Sequence, residues 1–429
     1  MNADDGVAND TDREAPVQDP VAVMELLTLD QINAAADRLR SAVRQTPIAA
    51  SRILSDRTGE QVWLKCESLQ RTGSFKARGA YNRIAHLSDK ERAHGVVAAS
   101  AGNHAQGVAW AATKLGITST VFMPATVALP KLAATKAYGA QVHLIGNTVD
   151  EALAAAREYS ERHDAVLIHP FDHAEIIAGQ ATVGLEILSQ IPDVATIVVP
   201  TGGGGLLAGI AAAVHYLAPG VQVIGVQAAS AAAWPASLAA GHPVRAESMS
   251  TIADGIAVAL PGAIPFAHIQ AFGTSIRTVS EEALSRALLL CMERAKLVVE
   301  PAGAAAVAAL MTLAAELDLH GPVCAVLSGG NIDPLVLTHL ITHGLRAAGR
   351  YLSVKVTIPD HPGGLSRLLD VVSASGASVL DVVHSRTARK LALDEVEVRL
   401  TVETRGPDHQ KEVLTALTEM GFVVSVEDD

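Results

Sequence analysis

The stretch TIVVPTGGGGLLAGIAAAV, Thr196–Val214, decides how the rest of the chain is read. Four β-branched residues lead to Pro200 and Thr201, four glycines follow, and an apolar, alanine-rich run begins at once. Branched side chains favour strands, whereas alanine and leucine favour helices. The pattern therefore predicts a buried strand, a glycine turn and a helix. Such a turn is either a flexible linker or a place where the backbone approaches a ligand. Linkers seldom join a buried strand directly to an apolar helix. Glycines admit an anion close to the backbone, and a helix N-terminus offers unpaired N–H groups and a favourable dipole. The turn reads as a phosphate cradle. Its spacing is not G-x-G-x-x-G, which disfavours a nicotinamide cofactor.

The same alternation extends in both directions. VWLKCE (Val62–Glu67), GVVAAS (Gly95–Ser100), STVFMP (Ser119–Pro124), QVHLIG (Gln141–Gly146), VQVIGVQ (Val221–Gln227) and VCAVLS (Val323–Ser328) are strand candidates. His104–Gly116, Val149–His163, Gly205–Ala218 and Gly303–Leu317 carry helical patterns. At Thr28–Ser41, Thr28 is placed to cap a helix with Gln31 as its reciprocal partner. Strands alternating with helices imply parallel sheets covered by helices. Residues 26–345 are expected to form two α/β lobes around a cleft, the smaller at about 75–170. After a connecting helix in Leu337–Arg350, the order becomes strand, helix, strand, strand, helix, strand. That is a βαββαβ, ferredoxin-like unit. Residues 346–429 are read as a separate domain, and 1–25 as a disordered acidic tail.

Composition narrows the function. The 429 residues are 49% hydrophobic and only 3% aromatic, so a large core is available, filled mostly by small aliphatic side chains. A net charge of -12 with no basic cluster argues against nucleic acid as a partner. Cys66, Cys291 and Cys324 are far apart and fit neither a zinc site nor a disulfide framework; no metal is expected. Apolar runs are too short to span a bilayer, and the polar N-terminus is unlike a signal peptide. A soluble, cytoplasmic protein is expected.

Two further turns resemble the glycine turn in placement. GVVAASAGNHAQG puts Ser100, Ala101, Gly102, Asn103 and His104 between a strand and a helix. It is either a carboxylate-binding loop or an ordinary turn whose Ser or Asn caps the helix. VCAVLSGGN ends a strand at Ser328, Gly329, Gly330 and Asn331, where open α/β sheets place ligands. In ESLQRTGSFKARGAYN, Glu67–Asn82, a strand-like run gives way to a helix at Lys76. A cofactor needing a phosphate cradle, a nucleophilic lysine and a ring-nitrogen partner is pyridoxal phosphate.

SFKARGA, SAGNHAQG, GGGGL, VVEPAGA and SGGN, in this order, resemble the serine/threonine dehydratase (threonine ammonia-lyase) family of fold-type II pyridoxal phosphate enzymes, over roughly residues 28–340. The resemblance implies a tryptophan synthase β-like fold with two parallel-sheet lobes. It also implies deamination of L-threonine to 2-oxobutanoate and ammonia, with weaker action on L-serine. In it, Lys76 bonds the cofactor aldehyde and, once freed, acts as base at Cα–H. Phe75 packs near the cofactor or fills the core. Asn103 partners the 3-hydroxyl, while Gly202, Gly203, Gly204, Gly205 and Leu206 hold the phosphate. Ser328 partners the ring nitrogen; a hydroxyl leaves the ring a weaker electron sink than a carboxylate would, which favours expulsion of a β-leaving group. Glu300 either approaches the ring or serves a helix N-terminus. The substrate carboxylate is expected on Ser100, Gly102, Asn103 and His104, and His169–Ile187 is expected to line the cleft.

Two departures bear on the alternatives, a serine racemase or β-replacement enzyme of the same fold. Racemases of the family carry a second serine where this chain has Ala101. Their divalent-cation carboxylates correspond to Gln227 and Ala233, poor ligands for a hard cation. A third alternative is a non-catalytic amino-acid sensor. The C-terminal unit resembles an ACT regulatory domain. Asp360, Gly363, Gly364 and Leu365 would form its effector turn, for isoleucine or valine, or the unit serves only to pair copies. A homo-oligomer, dimer or tetramer, is expected.

Overall fold

The computed structural model describes residues 25–386 and 391–426. The tail expected at 1–25 lies, but for its last residue, outside them.

The glycine turn does join a buried strand, Thr196–Pro200, to the helix Gly205–Leu217. That strand lies inside a six-stranded sheet ordered Ile48–Ala50, Val62–Lys65, Val323–Val326, Thr196–Pro200, Gln222–Ala228 and Ser275–Val279. The first pair is antiparallel and every other neighbour is parallel. A second sheet, wholly parallel, is ordered Gln141–Leu144, Ser119–Met123, Val96–Ala99 and Val166–Leu167. The fold is α/β, with two parallel-sheet layers. The third sheet, residues 378–385, 395–403, 351–359 and 423–426, is antiparallel and carries the helices Gly364–Ala374 and Pro407–Glu419. Its two central strands alternate: Leu352, Val354, Val356 and Ile358 are buried beside Val396, Val398, Leu400 and Val402. This is the expected ferredoxin-like βαββαβ unit.

Local chemistry explains the boundaries. Thr28 and Gln31 form the reciprocal capping box at Leu29–Leu39. Thr148 with Glu151 does the same for Val149–His163. The expectation of a strand-like run before Lys76 is corrected. The strand ends at Lys65, and residues Glu67–Leu69 and Arg71–Gly73 form two 3-10 turns. Thr72 there has a φ of 60°, a left-handed conformation that a continuing strand excludes. The helix expected over Gly303–Leu317 is confined to Ala305–Thr312, followed by a short 3-10 turn.

Close helix packing sets the Lys76–Ala85 helix against Ala174–Gln190. A Cβ on Gly79 would lie 2.4 Å from Gln180 Nε2, and one on Gly179 only 2.7 Å from the Gly79 Cα. Beneath this contact lies a buried charge cluster. Arg78 donates through Nε and Nη2 to Glu67 at 2.8 and 2.7 Å, and through Nη1 and Nη2 to Glu186 at 2.7 and 3.0 Å. Lys65 adds a bond to Glu186 at 2.5 Å and others to the Thr46 carbonyl and Gln190. Burial alone would raise the Glu67 carboxyl pKa, but the adjacent Arg78 outweighs it and holds the group below the usual range. Two cations and two carboxylates thus join the large sheet, the Lys76 helix and Ala174–Gln190.

Removing one member of such a set strands the opposite charge in a low-dielectric site. Arg78→Ala is expected to cost about 3–5 kcal/mol of unfolding free energy. Urea denaturation followed by circular dichroism measures it, and a loss below about 1 kcal/mol would show the cluster to be energetically idle.

Candidate active site

The C-terminal ends of the strands in both parallel sheets open onto one cavity of about 630 Å³. Lys76 opens its helix directly after Phe75, whose N–H donates to the Ser328 carbonyl at 3.1 Å. A bridge between Ser74 and Gly329 adds a second stitch. The SFK and SGG segments are therefore one piece of structure. The Lys76 Nζ donates to the Pro170 carbonyl at 2.8 Å and sits 5.2 Å from the Phe75 ring centre. Burial lowers its pKa to about 8, against an opposing pull from Glu300. An amine in that state has a far larger neutral, nucleophilic fraction near neutral pH than an ordinary lysine.

The glycine turn is packed from behind. A Cβ on Gly203 would meet the Phe171 ring at 2.4 Å, and one on Gly204, at φ 100°, would meet Trp234 Cζ2 at 2.4 Å. The carbonyl of Gly202 accepts from Trp234 Nε1, and that of Gly203 from the Gly262 N–H. The N–H groups of Gly202, Gly203 and Gly204 donate to no backbone carbonyl among the described residues. Carbonyls held back, amides free and a helix N-terminus adjoining make an anion cradle. Gly205 and Leu206 line the same cavity.

The remaining candidates converge here as well. Asn103 donates through Nδ2 to Glu300 Oε1 at 2.6 Å. Burial, reinforced by Asp254, raises Glu300 to about 7, so it exchanges its proton near neutrality. Of the two readings of Glu300, the carboxylate faces the cavity and partners Asn103, five residues ahead of the helix at Ala305. Phe75 lines the cavity and packs against the core. Ser328 is buried and lines the cavity. Ser100 accepts the Gly102 N–H at 3.1 Å, so the SAGNH loop is braced by its own serine rather than capped by it. His104 bonds the Ile168 carbonyl at 2.8 Å through Nε2, and burial lowers its pKa to about 3. It is a neutral imidazole, no cationic anchor for a carboxylate. In the third sheet, Asp360 is held bidentately by Arg386 at 2.8 and 2.9 Å, and Gly363 caps the following helix at φ 91°. Gly364 opens that helix, and Leu365 packs against its core.

A lysine with a depressed pKa, a turn packed so closely from behind that it admits only glycine, and a buried hydroxyl in the same cavity fit pyridoxal phosphate. Comparison with known proteins agrees. Residues 39–329 match the family described as pyridoxal-phosphate dependent enzyme.

The chain belongs to the pyridoxal-phosphate dependent enzyme family.

Within it, the L-threonine ammonia-lyase of Thermotoga maritima is 44% identical over 402 residues, 94% of this chain and all of that protein. Among solved structures, the processed threonine deaminase isoform 2 of Solanum lycopersicum is 35% identical, with a TM-score of 0.69 over 76% of this chain and 98% of that one. Maize serine racemase is 32% identical, also at 0.69, over 74% and 98%. These establish a fold-type II, pyridoxal-phosphate-dependent lyase.

Several polar residues of the family site were not assigned individually from sequence. His169 Nδ1 accepts the Asp172 N–H at 2.8 Å, and Asp172 in turn accepts the Ile264 N–H at 2.8 Å. The HPFD motif signals this corner, though not which atom does what. Lys131 and Asp254 pair across the cavity mouth, as do Arg245 and Asp150 at 3.8 Å. No motif announces either pair, because each joins residues about a hundred positions apart. Gln227 accepts the Trp234 N–H at 2.9 Å, so it supports the wall behind the glycines.

The lowered Lys76 pKa is testable without cofactor. Since burial favours the neutral amine, acylation of Lys76 in the apoprotein is expected to rise through a midpoint near 8. Mass-spectrometric labelling across pH measures it; a midpoint at the ordinary value of 10.5 would contradict the desolvated setting.

Proposed function

We propose that this protein is an L-threonine ammonia-lyase, converting L-threonine to 2-oxobutanoate and ammonia, with weaker action on L-serine. The reading is carried by Lys76, whose low-pKa amine shares one cavity with the four-glycine turn. The similarity to the Thermotoga maritima enzyme along its whole length supports the choice of threonine.

Bound there, pyridoxal phosphate supplies an electron sink for the pair left at Cα when its proton departs. Lys76 holds the cofactor by its aldehyde and, when released, takes the Cα proton; its pKa near 8 suits a base at neutral pH. Gly202, Gly203, Gly204, Gly205 and Leu206 hold the phosphate. Asn103 would hold the ring hydroxyl, and its amide also donates to Glu300. Ser328, a neutral partner for the ring nitrogen, favours loss of the β-hydroxyl over transamination. Phe75 and the neighbouring wall exclude water around the amine. The substrate carboxylate rests on Ser100, Gly102, Asn103 and His104, where the donors are amides and hydroxyls rather than a cation. The hydroxyl leaves as water, and hydrolysis returns one water as ammonia departs. A methyl in an apolar recess is worth only about 10–200-fold, so serine is not excluded. With Ala101 in place of a second hydroxyl, nothing at that position reprotonates the opposite face of Cα.

In this reading residues 26–345 form the catalytic unit of a homo-oligomer, and 346–429 a regulatory ACT unit. Its turn at Asp360, Gly363, Gly364 and Leu365 binds a small apolar amino acid, isoleucine or valine.

Purified protein loaded with pyridoxal phosphate is expected to release 2-oxo acid and ammonia from L-threonine faster than from L-serine. Lys76→Ala should abolish both that release and the visible absorbance of the bound cofactor. Isoleucine or valine should shift the rate, and Gly364→Trp should remove that response while sparing basal turnover. Formation of D-serine at a comparable rate would instead favour the racemase reading.

A further inference from the structure

Asn331 ends the SGGN segment and is given no part in the proposed function. Its side chain reaches back to the turn that precedes Lys76. There, Nδ2 donates to the Thr72 carbonyl at 2.6 Å and to Asn103 Oδ1 at 2.7 Å, with Gln106 Oε1 at 3.4 Å. Gly73 makes room for it: a Cβ on Gly73 would fall 2.4 Å from Asn331 Oδ1. The Gly330 N–H donates to the Gly73 carbonyl at 2.9 Å and fixes the same approach.

We propose that Asn331 is a positioning residue that sets which end of the Asn103 amide faces Glu300. The argument is one of donor polarity. A backbone carbonyl can only accept, so the Thr72 oxygen fixes the NH2 end of Asn331 toward itself. The second hydrogen of that NH2 group then meets Asn103, which must present its oxygen. Asn103 is thereby left with its NH2 end toward Glu300, at 2.6 Å. An unanchored amide exchanges its two ends at little cost in shape, and only its partners choose between them. The left-handed Thr72 turn places the carbonyl that starts the relay. This inference rests on the proposed function in one respect: Asn103 spends its remaining N–H on the cofactor's ring oxygen.

The test is a double-mutant cycle on pyridoxal phosphate affinity, read from the absorbance change as apoprotein is titrated. Asn331→Asp keeps the shape but puts acceptor oxygens against the Thr72 carbonyl and Asn103 Oδ1, which turns the Asn103 amide over. It is expected to weaken binding about tenfold, the size of one lost hydrogen bond. Asn103→Ala should cost about as much, and the double variant should bind no worse than Asn103→Ala alone. Additive losses, or wild-type affinity in Asn331→Asp, would overturn the proposal. Thermal melts of the apoproteins check folding; if Asn331→Asp is unfolded, Asn331→Ser removes the two-ended donor without adding charge and carries the same expectation. Wild-type apoprotein that binds no cofactor at all would count against the proposed function instead.

Discussion

The structure depends on keeping three buried charges and one largely covered charge in register. Lys65, Arg78, Glu67 and Glu186 come from a strand end, a helix, a 3-10 turn and a second helix, and each leaves water only because the others are present. Charge neutrality within the set makes burial tolerable, and the bidentate geometry of Arg78 makes it specific. Arg78 lies two residues beyond Lys76. The clamp that satisfies the charges therefore also fixes the first turn of the helix that presents the reactive amine.

Above that foundation the site works mostly through neutral groups. The cradle consists of amides, the SAGNH loop offers a serine, an asparagine and an uncharged histidine, and Ser328 adds a buried hydroxyl. Among the charged residues lining the cavity, burial pushes two toward neutrality, Lys76 down to about 8 and Glu300 up to about 7. Those two groups change protonation state easily, while the charges of Lys131, Asp254, Arg245 and Asp150 are paired with one another. That suits a reaction whose substrate arrives as a zwitterion and leaves as an oxo acid and ammonia.

Much of the fold was legible in the chain. Strands of four to seven mostly buried residues, such as Thr196–Pro200 and Gln222–Ala228, stand out as β-branched apolar runs next to glycine or proline. Ile48–Ala50 and Val166–Leu167 do not, being only three and two residues long, and Ser275–Val279 mixes polar and apolar side chains without burying one face. Helix Ala174–Gln190 hid inside a stretch noticed for its chemistry. The residues at strand–helix turns were legible for the same reason they matter: glycine and small polar residues at those positions contradict what an ordinary core would select. Lys131, Asp254 and Asn331 were assigned no role because their meaning lies in a distant partner. Gly73 is the instructive case, since its lack of a side chain makes sense only once Asn331 is seen lying against it.

The ion pairs at the cavity mouth have a consequence for traffic. Lys131–Asp254 and Arg245–Asp150 tie the helices that begin at Leu129 and Val149, beside the small sheet, to the segment around residues 245–254 beside the large one. The Arg245 pair is solvent-exposed and yields to screening by salt, whereas Lys131 is largely covered and yields much less. Of the two fastenings, the Arg245 pair is the more readily weakened by salt. Because Asp254 and Lys131 act on Glu300 in opposite directions, separating them also alters the electric field at the asparagine–carboxylate pair deep inside. The Lys131–Asp254 pair at the mouth is thus electrostatically linked to the buried carboxylate.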